Sequence, residues 1–152
     1  MKNDLTDREA IIAEMLRDTT VALGCSLIEK VGEEETAKVF SHLMEQRLQK
    51  LEKAGLLGKG FQVLADMVSK TAVFNQQDVT FDVENMIAVT KSCGLWEAGK
   101  KLGYANTPLC IRCKANSDTV LSHVLPGYKK KILKSLWWGD EECYMIYNKE
   151  ED

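Results

Sequence analysis

Little in this sequence interrupts the chain: two prolines and ten glycines are spread over 152 residues. That leaves no room for proline- or glycine-rich linkers and excludes collagen-like and low-complexity classes. Basic excess is also missing, since 20 Lys and Arg stand against 23 Asp and Glu, a net charge of -3. Binding to a phosphate backbone needs the reverse, so nucleic acid is not an expected partner. No run of about 18 apolar residues suggests a membrane span. The start, with Asp4, Asp7, Arg8 and Glu9, lacks the apolar stretch of a secretory signal, which makes the cytoplasm the expected location. Neither a G-x-G-x-x-G nor a Walker loop occurs, and no repeat is visible.

What remains is ordinary globular material, 45% hydrophobic and 28% charged, of a length that one domain spanning residues 1–152 accounts for. Thr6 and Glu9 have capping-box spacing, and Ile11, Ile12, Met15, Leu16 and Leu23 recur at helical intervals, which predicts a helix from Asp7 towards Glu29. Gly32 interrupts it. Glu33 to Glu35 then open a second helix that ends at Ala54-Gly55, and Phe61 to about Phe74 gives a third.

From Gln76 the period changes to two. Val79, Phe81 and Val83 predict a strand, Asn85 a turn, and Met86 to Thr90 a returning strand that delivers Cys93 to an element boundary. A short helix over Leu95 to Leu102 stops at Gly103, and Thr107-Pro108 reads as the cap and first turn of a helix ending near Val124. Strands at Lys129 to Trp138 and Cys143 to Asn148, joined through Gly139 to Glu142, complete an α+β pattern: N-terminal helices packed on a small antiparallel sheet, with a helix pair inserted between two hairpins.

Five cysteines in a chain expected to stay reduced are read as reactive, metal-binding or buried thiols. Cys110 and Cys113 share one stripe with Ser117 and Leu121 if the helix starts where predicted, and its N-terminus, with Arg112 and Lys114 beside it, favours thiolate. Core packing is the alternative for both. Cys93 and Cys143 complete a candidate four-sulfur set with Cys110 and Cys113 for zinc or an iron–sulfur cluster. Cys25 lies beside Leu27 and Ile28 and reads as core.

Asp118 is the one carboxylate inside the predicted helix, and is either solvated or a general acid or base beside the thiols. His123 projects to the other side of that helix and reads as structural, as does His42 in the second helix. Lys129-Lys130-Lys131 reads as a solvated strand start. Trp137 and Trp138, adjacent on a strand, face opposite ways. With Trp96 they suit either an aromatic wall for a small planar ligand or a homodimer interface.

The order Cys93, Trp96, Leu102-Gly103, Leu109-Cys110, Asp118, Gly139 with Cys143, and Tyr147 resembles the L-2-amino-thiazoline-4-carboxylic acid hydrolase family, over about 55 residues. A more distant similarity is to 4-vinyl-reductase-like ligand-binding domains. The resemblance implies a hydrolase that opens a small cyclic thioimidate, with Cys110 as nucleophile, Asp118 as proton donor and Cys93 nearby. Cys113 and Trp137-Trp138 depart from the pattern, which leaves a non-catalytic metal or small-ligand module as the alternative.

Overall fold

The computed structural model describes residues 5–151. Helix α1 (Asp7–Lys53) starts with the expected capping box, in which the Glu9 amide donates to Thr6 Oγ1 and Glu9 in turn accepts from the Thr6 amide. Gly32 breaks it into two limbs at φ 86°, a backbone conformation only glycine adopts readily, and Thr36 Oγ1 donates to the freed Gly32 carbonyl at 2.7 Å. α2 (Phe61–Asn75) follows, then β1 (Gln77–Asp82), β2 (Ile87–Cys93), α3 (Gly94–Lys101), α4 (Cys110–Val124), β3 (Tyr128–Lys134), a 3-10 turn (Leu136–Trp138) and β4 (Cys143–Lys149).

The four strands form one antiparallel sheet in the order β1-β2-β4-β3. Each hairpin is local, and the β2–β4 pairing that joins them sets Thr90 opposite Cys143 and Ala88 opposite Met145. This is the α+β arrangement expected, with α3 and α4 inserted between the hairpins.

Two apolar clusters hold the layers. Leu48, Phe61, Leu64, Ala88, Val120, Leu121, Val124, Met145 and Tyr147 join the second limb of α1, α2, α4 and the sheet. Val21, Cys25, Cys93, Leu95, Ala98 and Leu109 join the first limb to α3. Cys25 is fully buried there, as its neighbours suggest, and its thiol lies 3.6 Å from the Thr107 carbonyl. Arg17 is buried and donates from Nη1 to the Phe74 carbonyl at 2.6 Å, so its charge meets the negative end of α2.

Two local expectations are corrected. Thr107 is not the cap of α4, which starts at Cys110 after Leu109; its hydroxyl instead donates to Glu29 at 3.2 Å and ties that loop to α1. The strand expected to run to Trp138 stops at Lys134. Ser135 Oγ accepts from the Trp137 amide at 3.2 Å and turns the chain, so strand alternation does not orient the tryptophans. Trp137 stacks on Trp96, with ring centroids 4.9 Å apart, while Trp138 is 55% exposed.

Candidate functional site

Between α2, α4 and the inner face of the sheet lies a cavity of about 160 Å³. Period two supplies its floor. Val79 and Phe81 of β1, Ala88 and Thr90 of β2, Lys130 and Ile132 of β3, and Cys143, Met145 and Tyr147 of β4 all line it. Leu64, Met67 and Val68 of α2 and Val120 of α4 roof it, and Trp137 closes one side.

Lys130 is the exception in this apolar file. It occupies an inward position of β3 between Tyr128 and Ile132, where alternation otherwise demands an apolar side chain, and it is 6% exposed. Its Nζ lies 3.4 Å from Ser117 Oγ and 6.0 Å from the centroid of the Tyr147 ring. Arg47 and Arg112 also line the cavity, and among the described residues no aspartate or glutamate does. The space therefore carries positive charge without a carboxylate to match it, and burying such a charge unpaired is costly. The three-lysine run is thus not wholly solvated.

Four sulfurs reach this space. Cys93 sits where β2 meets α3, Cys110 and Cys113 on the first turn of α4, and Cys143 at the start of β4, and all four line the cavity. Helical spacing brings Cys110 and Cys113 together, while the β2–β4 pairing, which sets Cys143 opposite Thr90, brings Cys143 to the same cavity wall. Cys143 Sγ accepts from the Leu136 amide at 3.4 Å and lies 3.9 Å from Ser135 Oγ, while Gln77 Nε2 donates to Cys93 Sγ at 3.3 Å.

The electrostatics correct the thiolate expectation. Burial, with the neighbouring Cys113 second, pushes the Cys110 thiol up to about 11, and burial likewise raises Cys93 and Cys143. Desolvation outweighs the helix N-terminus because it removes solvation from the whole charge, whereas the dipole supplies only partial charges. The four sulfurs do not form a metal centre either. Among the described residues, no group of three or more His, Cys, Asp or Glu side chains is arranged to hold a metal ion, so zinc or an iron–sulfur cluster held by Cys93, Cys110, Cys113 and Cys143 does not fit.

Asp118 lies on the far side of α4. It lines a separate open depression with Ser41, His42, Glu45, Lys114 and Lys129, not the sulfur-lined cavity. There it accepts from Lys114 Nζ and, at 2.7 Å, from the backbone amide of Lys130. The carboxylate thus fixes the backbone of the residue whose ammonium enters the cavity, rather than facing the thiols. His123 is structural. Its ring bridges Glu52 at 2.7 Å and Glu45 at 2.8 Å, pinning α4 to the second limb of α1, and these two contacts raise its pKa. His42 is exposed and contacts Gln46.

Lys130 and Ser117 are the site residues the sequence reading missed. A signal was present: Tyr128, Lys130 and Ile132 share one face of the strand, so a lysine stands in an inward file. Compared with known proteins, the chain matches no family model, no curated protein and no solved structure. Among the described residues, no helix is long and apolar enough to cross a membrane.

Proposed function

We propose that this protein is a small-ligand-binding module whose cavity takes a ring-sized organic acid, the carboxylate set against Lys130 and the ring among Phe81, Tyr147 and Trp137. The observation that carries this reading is the Lys130 ammonium, buried in a largely apolar cavity that, among the described residues, no carboxylate side chain lines. An anionic headgroup supplies the missing partner. A volume of about 160 Å³ suits a single substituted ring, since a dry apolar cavity of about 150 Å³ accommodates benzene. Titration calorimetry with small ring carboxylates and their neutral amides tests it. The acids bind, the amides bind at least about tenfold more weakly, and Lys130→Met abolishes the difference. Equal affinity for acid and amide refutes it.

A second reading, cysteine-dependent opening of a cyclic thioimidate acid such as 2-amino-thiazoline-4-carboxylate, is favoured by one observation: Cys110 faces the same cavity as Lys130. In it the Cys110 sulfur adds to the C=N carbon and its proton passes to the ring nitrogen; the ring carbon–sulfur bond then breaks and the ring sulfur leaves as a thiol, taking a proton from the exocyclic amine. Water adds to the same carbon, one of its protons going to the imine nitrogen, and as the carbonyl forms the other returns to the departing Cys110 sulfur, giving the N-carbamoyl thiol. With the thiol near 11, only about one Cys110 in ten thousand is thiolate at neutral pH before ligand binds, so binding without turnover is the better-supported function. Product analysis after incubation with the thiazoline acid separates the two, with Cys110→Ser as control.

A further inference from the structure

The first limb of α1 is apolar on the side that faces away from the rest of the fold. Ile12, Met15, Leu16 and Leu23 are 46%, 65%, 59% and 63% exposed, whereas Ala13, Arg17, Val21 and Cys25 on the opposite side are buried. Ile12, Leu16, Thr19 and Leu23 follow one another at steps of four, three and four residues. That is the spacing of a helix–helix seam, and helices apolar on both sides are normally covered on both. From Arg8 to Val31 the seam is about 36 Å long at 1.5 Å per residue.

We propose that this face is the contact between two copies of the chain, paired antiparallel about a two-fold axis beside Thr19 and Thr20. The sequence is self-complementary in that register. Setting Leu16 opposite Leu23 of the second copy also sets Ile12 opposite Leu27, Thr19 opposite Thr20, and Glu9 opposite Lys30. Glu9 and Lys30 are both exposed, and one carboxylate oxygen of Glu9 is already held by Thr6, so the other is left for Lys30. A parallel pair would instead place Glu9 on Glu9 and Lys30 on Lys30, and like charges so placed repel. Charge therefore selects the antiparallel arrangement and a second copy as occupant. The tryptophans do not enter the contact.

Sedimentation velocity across micromolar concentrations tests the proposal on the full chain, with circular dichroism to check that each variant stays folded. The protein sediments as a dimer. Leu16→Glu and Leu23→Glu, both at exposed positions, each raise the dissociation constant at least about tenfold. Lys30→Glu weakens the dimer, and adding Glu9→Lys restores it. Thr19→Cys cross-links the dimer under mild oxidation, and Arg8→Cys does not. A monomeric protein overturns the inference, including one that binds lipid vesicles or another protein through this face. So does a dimer that both leucine substitutions leave intact, or a cross-link through Arg8→Cys in place of Thr19→Cys.

Discussion

Replacing Lys130 with methionine separates what its ammonium does for the fold from what it does for a ligand. The two side chains have similar length, so the variant keeps the packing of the stem against Tyr147 and removes only the charge. In the folded protein that charge has one side-chain hydrogen-bond partner, Ser117 Oγ, at 3.4 Å, which is too long for a strong hydrogen bond. Little is therefore lost when it goes, and the Ser117 hydroxyl can turn to a carbonyl in the preceding turn of α4. What is gained is relief from burying a charge in an apolar cavity. Exchanging buried charges for apolar groups of similar volume is neutral to a few kcal/mol stabilising, and a gain of about 1 kcal/mol is expected here. In a domain of this size that corresponds to a rise of about 2–4 °C in Tm. Ligand affinity moves the other way. Loss of a hydrogen bond to a charged group costs about 1.5–3 kcal/mol, a drop of about 10- to 150-fold for a ring carboxylate and none for its amide. Urea unfolding and calorimetry on the same preparation measure both sides. A variant destabilised by more than about 1 kcal/mol, or one that binds the carboxylate as the parent does, refutes the reasoning.

A methyl group at residue 99 would overlap the Trp137 ring, so Gly99→Ala displaces Trp137 from Trp96 and lowers stability by about 1–3 kcal/mol, with a visible change in tryptophan fluorescence. Asp118→Ala leaves the Lys130 amide without its partner and costs about 1–3 kcal/mol in urea unfolding; if Asp118 were only a solvated carboxylate, the change would stay within about 0.5 kcal/mol. The contacts of His123 with Glu52 and Glu45 raise its folded pKa above the unfolded value near 6.5. Its contribution is therefore complete below that value and is lost as pH rises through the folded pKa. His123→Gln removes about 1 kcal/mol of stability at acidic pH and less at alkaline pH, and a loss that grows with pH would contradict the assignment.

The order of elements is a local property of the chain, and for that reason most of it can be read directly. The Thr6–Glu9 cap, the break at Gly32, the change from period 3.6 to period two near Gln76 and the turn at Asn85 each depend on residues a few positions apart. Thr107 has the chemistry of a cap, but a tertiary contact with Glu29 on α1 takes its hydroxyl. The strand expected to run to Trp138 ends for a local reason, because Ser135 Oγ accepts from the Trp137 amide and turns the chain. Cys110 was expected to ionise on the strength of its position at a helix N-terminus, yet burial, which no spacing reveals, pushes its thiol up to about 11.

The helices, the two hairpins and the antiparallel character of the sheet follow from local signals in the chain, because turns and caps act over a few residues. Which side of each element faces inward depends on long-range packing. Period two puts Lys130 and Ile132 on one face of β3 but leaves open whether that face meets solvent or α4, and one residue's rotation along α4 separates Ser117 in the cavity from Asp118 outside it. Long-range pairing of β2 with β4 made that choice, and with it placed a lone ammonium and four thiols around one apolar space.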